Sequence, residues 1–394
     1  MKCVIFRQSL GQSRVVGIGG KGVGKSTMLR YIANRLIQEC GQILWIDLDP
    51  GQAEFTIPGT FYSRNICIFG NSGVVIFFII LGCLSCTLVK EPLLGPNFTH
   101  LAQDNLVTNI YLGSVNVSDV AQRYYNSVQH IIREISLNPN YSKIPWVINT
   151  MGFNRGLGIS LLKKSMSLIQ PTTFIEVRSR FAKKNFECSL KGFCEHSLPK
   201  CHYMKFDAIP ESDVKDMNSQ DFWGIPEAYK LRDIVLLSYI GERFPSPIQN
   251  LTPYSVSFDN VQVQLLQCQD KSVTESEACS ILNMSLVSLG SVDRVINQND
   301  IIESKGFGII RGIDPERRLF YVLTDCDSNP EVLETINCIT SGSINLPNGI
   351  FLTKVSNKLK HSPYVESKPP LETPLNVPWQ RSGKPRLNEF QNKS

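Results

Sequence analysis

Nine consecutive residues constrain this chain more than any others: Gly19, Gly20, Lys21, Gly22, Val23, Gly24, Lys25, Ser26 and Thr27. Residues 14–18, Arg-Val-Val-Gly-Ile, read as a short buried strand that runs into them. After them Met28, Leu29, Tyr31, Ile32, Leu36 and Ile37 recur at helical spacing until Gly41. Strand, then G-x-x-x-x-G-K-S, then helix is a phosphate-binding loop in the context that the motif requires. Glycines let backbone N–H groups curl around phosphate oxygens, and the helix N-terminus adds favourable partial charge. Lys25 is placed to reach β- and γ-phosphates, and the Ser26 hydroxyl to ligate Mg²⁺.

A second strand, 43–46, ends in Asp47-Leu48-Asp49-Pro50-Gly51-Gln52. A carboxylate at the end of a strand beside a phosphate loop can hold the metal or activate a nucleophile. Alternation puts Asp47 and Asp49 on one side of the strand end, so one can serve Mg²⁺ while the other accepts a proton from an attacking hydroxyl. No N-K-x-D guanine reader and no L-S-G-G-Q signature occurs. Partitioning ATPases carry an extra lysine five residues before the loop lysine, whereas Lys21 lies four before Lys25. The pattern points to a phosphotransferase.

The 394 residues, 42% hydrophobic and 19% charged, exclude a coiled coil, a collagen and a wholly disordered chain. A net charge of +5 permits a polyanionic partner without demanding one. Twelve cysteines are too sparse for a disulfide-stapled scaffold, and no signal peptide opens the chain, so a reducing compartment is expected. Residues 65–89 carry no charge, but the unbroken apolar run there is only 74–81, well short of the ~20 residues of a membrane helix. A membrane partner is therefore not expected.

Gly19 to Thr27 followed by Asp-Leu-Asp-Pro-Gly-Gln-Ala-Glu-Phe-Thr resembles the polynucleotide 5′-hydroxyl kinases of the nucleolus, kin to the RNA kinase of the pre-mRNA cleavage machinery. Further matches follow in order. They are Glu91-Pro92-Leu93-Leu94-Gly95-Pro96, Asn149-Thr150-Met151-Gly152-Phe153, Gly156-Leu157-Gly158, Leu231-Arg232-Asp233, 306–315 and Pro378-Trp379-Gln380-Arg381-Ser382. The resemblance implies an ATP- and Mg²⁺-dependent kinase that phosphorylates the 5′-hydroxyl end of RNA. It implies Asp49 as general base, Asp47 and Ser26 at the metal, and Gln52 holding the acceptor end. It also implies Thr150 and Phe153 as an RNA clasp, with phenylalanine where many relatives have tryptophan, and Arg232 as a lid arginine over the transferring phosphoryl group. By the same resemblance the setting is the nucleus and nucleolus, in pre-ribosomal RNA processing, with a spacer-cleaving endoribonuclease as partner. A nucleotide-gated scaffold for that endoribonuclease, or an inactive fragment, stays open as an alternative. Relatives carry a substantial domain before the phosphate loop, and thirteen residues precede Arg14 here, so an incomplete N-terminus is expected.

The expected fold is α/β: a P-loop NTPase parallel sheet with helices on both faces over 1–249, then a smaller β-rich domain over 250–360. Helices are expected over 118–136 and 157–169, a strand over 174–177, and C-terminal strands over 255–265, 281–289, 307–312 and 319–323. The tail, 361–394, is rich in proline and charge and reads as disordered. From 354 onward eight basic residues face three acidic ones. Residues 60–82 have no counterpart in the resemblance and read as an apolar insertion, comparable to translated intron sequence. Cys188, Cys194, His196, Cys201 and His202 cluster, but their spacings fit no common zinc pattern; with Arg178, Arg180, Lys183, Lys184 and Lys191 nearby, the region reads as a basic, RNA-facing loop. Cys83-Leu84-Ser85-Cys86 lacks a redox context.

Overall fold

A computed structural model describes residues 13–55, 82–99, 105–114, 116–208, 228–244, 248–268, 273–324, 326, 330–345, 352–355 and 358–361. Most of the apolar stretch and nearly all of the basic tail lie outside these residues.

A seven-stranded sheet forms the larger layer. Its strands are β1 (Arg14–Ile18), β2 (Ile43–Leu48), β3 (Cys83–Val89), β4 (Leu106–Tyr111), β5 (Trp146–Thr150), β6 (Thr173–Arg178) and β7 (His202–Asp207), in the order β4-β3-β2-β5-β1-β6-β7. From β2 to β7 every pairing is parallel, while β3 joins β2 antiparallel and β4 joins β3 antiparallel. The expected parallel sheet is therefore the five-strand part, extended at one edge by an antiparallel pair. Near-continuous burial of β1, β2 and β5 explains why they read as apolar runs without alternation.

Helices cover both faces. Helix α1 (Lys25–Cys40) lays Leu29, Ile32, Ala33, Leu36 and Ile37 on Val15, Trp45, Val147 and Ile175. Helices α2 (Ala121–Leu137) and α3 (Leu157–Ile169) pack Tyr124, Val128, Ile131, Leu162 and Met166 against Val16, Ile46 and Ile148 on the opposite face. Adjacent strand residues thus feed opposite layers, and each fully buried Leu or Ile side chain contributes about 1.5–3 kcal/mol. Two later helices, α4 (Lys191–Ser197) and α5 (Ala228–Arg243), complete the region.

The second layer is a six-stranded sheet, β8-β12-β11-β10-β13-β9, built from Tyr254–Ser257 (β8), Gln262–Leu265 (β9), Ser285–Gly290 (β10), Ser304–Asp314 (β11), Leu319–Thr324 (β12) and Cys338–Asn345 (β13). The strand expected over 281–289 begins inside a helix, α6 (Glu275–Leu282). Thr274 and Glu277 close a reciprocal capping box that starts α6, and Met284 at φ 59° turns the chain into β10. The stretch expected as one strand over 255–265 is two, divided by a turn of 3₁₀ helix at Phe258–Asn260. The two sheets are joined by packing: Tyr111 and Tyr239 of α5 both meet the Phe307 ring edge-on, at 6.3 and 6.0 Å. The buried Arg123 guanidinium donates to the carbonyls of Tyr111 and Asp300, tying α2 to the smaller layer.

Candidate active site

The phosphate loop leaves β1 and wraps onto the first turn of α1. Gly24 caps the helix at φ 92°, a left-handed conformation that a side chain would strain, and no side chain occupies the cap. The first-turn N–H groups therefore face the loop's mouth with the positive end of the helix dipole behind them. A Cβ at Gly20 would collide with the Lys184 carbonyl, and one at Gly152 would lie 2.8 Å from the Lys21 nitrogen. Two neighbouring loops thus press directly on the phosphate loop and hold its shape.

Lys25 is buried at the first position of α1. Burial lowers its pKa, and the charges of Asp49 and Asp47 oppose that shift. Asp47 is 0% exposed. Its Oδ1 accepts from the Asp49 N–H (3.1 Å) and the Asn149 Nδ2 (3.1 Å), and its Oδ2 from the Glu54 N–H (2.6 Å). Burial first, then the Asp49 charge, push the Asp47 pKa up to about 7 against those amide hydrogen bonds. Asp49 keeps 9% exposure and accepts from the Gly51 N–H at 3.0 Å. Of the two acids, Asp49 is the less deeply buried.

Gln52 stands half-buried beside Asp49, its N–H donating to the Asp49 carbonyl at 3.3 Å. Below it, Glu54 forms a 3.0 Å ion pair with Arg30, which also donates to the Gly95 carbonyl. Asn34 clamps Leu93 through both its amide atoms, so the Glu91–Pro96 segment is anchored to α1. The Thr150 hydroxyl is buried and donates to the Gly17 carbonyl at 2.7 Å, fastening β5 to β1. Phe153 is half-buried, with Gly158 of α3 directly against its ring. Arg232 falls in α5, but its side chain lies outside the described residues.

Two sets of contacts at the site leave no mark in the sequence. Asn149 reaches Asp47, and its own Oδ1 is buried without a partner. Asn154 donates to the Lys183 and Asn185 carbonyls, and Asn185 pairs with both backbone groups of Ser179. Those bonds lock the basic 178–185 loop beside the phosphate loop. Among the cysteines, Cys194 is buried and Cys188 exposed. No group of three or more His, Cys, Asp or Glu is placed to hold a metal among the described residues, and no helix there is long and apolar enough to cross a membrane.

A phosphate loop on a mixed α/β sheet, with a buried lysine and paired carboxylates at its mouth, defines a P-loop nucleotide-binding protein. Residues 19–65 and 77–209 match the family described as mRNA cleavage and polyadenylation factor CLP1 P-loop, and residues 249–347 match the NOL9-like C-terminal domain. Along these two segments the chain is similar to CLP1-type P-loop proteins and to the C-terminal domain of NOL9-like proteins. It is 28% identical to the polynucleotide 5′-hydroxyl-kinase NOL9 of Drosophila melanogaster over 367 residues, covering 90% of this chain and 33% of the relative. Against the Homo sapiens relative of that name it is 27% identical over 376 residues, covering 84% of this chain and 49% of the relative. The chain thus spans about a third to half the length of these relatives. A chain from the solved Clp1p–Pcf11p complex shares the fold at TM-score 0.58 and 15% identity, with 86% of this chain and 76% of that one covered.

Proposed function

We propose that this chain is an ATP-dependent polynucleotide 5′-hydroxyl kinase that transfers the γ-phosphate to the 5′-hydroxyl end of RNA. The observation that carries the reading is the buried Lys25 set against Asp49 and Asp47 at the mouth of the phosphate loop. The left-handed Gly24 and the start of α1 without a side-chain cap leave first-turn N–H groups available to a triphosphate.

The proton of the attacking 5′-hydroxyl passes to Asp49 as its oxygen bonds to the γ-phosphorus and the bond to the β-phosphate bridging oxygen breaks, releasing ADP. Lys25 offsets the charge that develops on the transferring group. Ser26 and Asp47 would hold Mg²⁺, and the donor set fits. The buried Asp47 carboxylate and the neighbouring unpartnered Asn149 oxygen are hard oxygen donors of the kind Mg²⁺ takes. When bound, Mg²⁺ supplies charge neutralisation on the β- and γ-oxygens. Gln52 positions the acceptor end. Thr150 and Phe153 form the clasp on the RNA, the Thr150 hydroxyl fixing the end of β5 to β1 and Phe153 offering a stacking face, and Arg232 closes over the phosphoryl group.

Relatives named polynucleotide 5′-hydroxyl-kinase support the acceptor class. The setting that goes with it is pre-ribosomal RNA processing in the nucleolus, beside a spacer-cleaving endoribonuclease. Transfer of labelled phosphate from γ-labelled ATP to a 5′-hydroxyl oligoribonucleotide tests the reading. ATP binding without any transfer would overturn it in favour of a nucleotide-gated scaffold.

A further inference from the structure

The loop after β6 carries an aromatic ring where a soluble surface has no packing need for one. Phe181 is 45% exposed. The Arg180 guanidinium lies 4.8 Å from its centroid and the Lys184 ammonium 5.7 Å. The loop under it is cross-linked by side-chain hydrogen bonds. Asn185 both accepts from the Ser179 N–H (2.8 Å) and donates to the Ser179 carbonyl (2.7 Å), while Asn154 bridges the Lys183 and Asn185 carbonyls. The same loop touches the phosphate loop itself: the Lys184 carbonyl fills the space a Cβ would need at Gly20, while the Val177 carbonyl near the end of β6 fills that at Gly19.

Sheet order fixes which end of a bound nucleotide this ring meets. The carboxylates follow β2, the phosphate loop follows β1 and Phe181 follows β6, in the order β2-β5-β1-β6. Three strand steps of ~4.8 Å separate the Asp49 end from the Phe181 end, about 14 Å. A triphosphate laid across the loop with its γ-group at Asp49 therefore carries its nucleoside toward β6. The acceptor hydroxyl, which must meet Asp49, comes from the other side.

We propose that Phe181, set by the 178–185 loop against the first glycines of the phosphate loop, is the stacking platform for the base of the donor nucleoside triphosphate. The inference rests on the kinase reading above, because that reading places the γ-group at Asp49. Arg180 and Lys184 add charge beside the phosphates and stiffen the ring's position. A stacked platform reads area and not hydrogen-bonding edges, so it favours purines over pyrimidines.

Calorimetric titration of the full chain with ATP, CTP and inorganic tripolyphosphate tests this, with fluorescence anisotropy of a 5′-hydroxyl oligoribonucleotide alongside. Phe181→Ala should weaken ATP at least about fivefold, the lower end of what one base–aromatic stack contributes. It should leave tripolyphosphate unchanged and narrow the ATP-to-CTP ratio, and Phe181→Trp should restore ATP binding. Equal loss of ATP and tripolyphosphate would overturn the platform, since Phe181 would then merely support the loop. A loss of oligoribonucleotide binding alone would also overturn it, as would no change at all. Wild-type chain that fails to bind tripolyphosphate would instead overturn the kinase reading beneath it.

Discussion

The Asn149 side-chain amide donates to the Asp47 carboxylate across 3.1 Å, linking β5 to β2 over 102 positions of sequence. Both side chains are fully buried, and they pair in register across adjacent parallel strands. A neutral donor here holds a carboxylate whose ionisation burial already disfavours. Asn149→Asp keeps the shape but sets a second acid against the first. Like charges at this separation raise one pKa strongly, so the new acid favours folding only while protonated. Its folded pKa exceeds its unfolded value; that support is lost as pH rises through the folded pKa. Urea unfolding of the variant should therefore show a deficit that grows to about 2–4 kcal/mol by pH 8.5 and is much smaller at pH 5.5. Equal deficits at both pH values would show that charge is not the cause.

Lys25→Ala should abolish phosphoryl transfer, because the lysine supplies charge where the transition state needs it. Asp49→Asn should keep ATP affinity within about threefold while turnover falls by about 10²–10⁴, the range for a lost general base. Binding by calorimetry and turnover by phosphate transfer separate the two effects. Full turnover in Asp49→Asn would remove its assignment as base.

The smaller sheet is tied to the larger one by a titratable pair. His130 of α2 meets Glu303 at 3.0 Å, and Thr108 donates to the same oxygen. The hydrogen bond to Glu303 raises the His130 pKa, and the hydrogen bond from His130 lowers that of Glu303. For a raised histidine, stability is present below its unfolded value of about 6.5 and lost as pH rises through the higher folded value. For a lowered carboxylate it is present above about 4.3 and lost as pH falls through the lower folded value. The tie is thus strongest between about pH 5 and 6.5. Partial exposure of both groups limits it to about 1 kcal/mol. His130→Gln should melt below wild type at pH 6 and nearly with it at pH 8.5.

How much of this site could be read in the sequence depends on how local its physics is. The phosphate loop was legible because a backbone that wraps phosphate fixes glycine and lysine at set spacings within nine residues. Asp47 and Asp49 were legible as the end of a short apolar strand. Asn149 was read only as part of a motif, since its partner is set by the β2–β5 register and not by any neighbour in sequence. Phe181 sits in a run of arginines and lysines that reads as a basic, RNA-facing loop, and only the fold brings it to the phosphate loop. Thr150 and Phe153 show the reverse: their motif was visible, but the strand pairing and α3 decide that the hydroxyl meets Gly17 and the ring meets Gly158. The helix 275–282 left a signal in the capping box at Thr274 and Glu277, overridden by the apolar run that follows it.

Between β2 and β3 lies the stretch 65–82, which carries no charged residue. The two strands pair antiparallel, with Asp47 opposite Ser85, so the chain leaves and re-enters the sheet at adjacent positions. Closing that gap needs only a short loop, yet 34 residues separate Leu48 from Cys83. The family match breaks only between 65 and 77, so the two ends of the stretch, 60–65 and 77–82, do align with the family. Gly82 belongs to the ladder, because its carbonyl accepts from the Leu112 N–H at 2.7 Å, so a clean deletion removes 60–81 and spares it. Shortening the connection to 12 residues should reduce loop-closure entropy by about 1 kcal/mol. Removing an apolar run of β-branched and aromatic residues should also raise the soluble yield. Thermal melts and the soluble fraction of the shortened chain check both effects. A lower melting temperature, or a loss of membrane association on deletion, would mean that the stretch is a working part of the protein. Transcripts read across the 59–83 segment give a separate test, for a message that always retains the stretch rules out an unspliced intron.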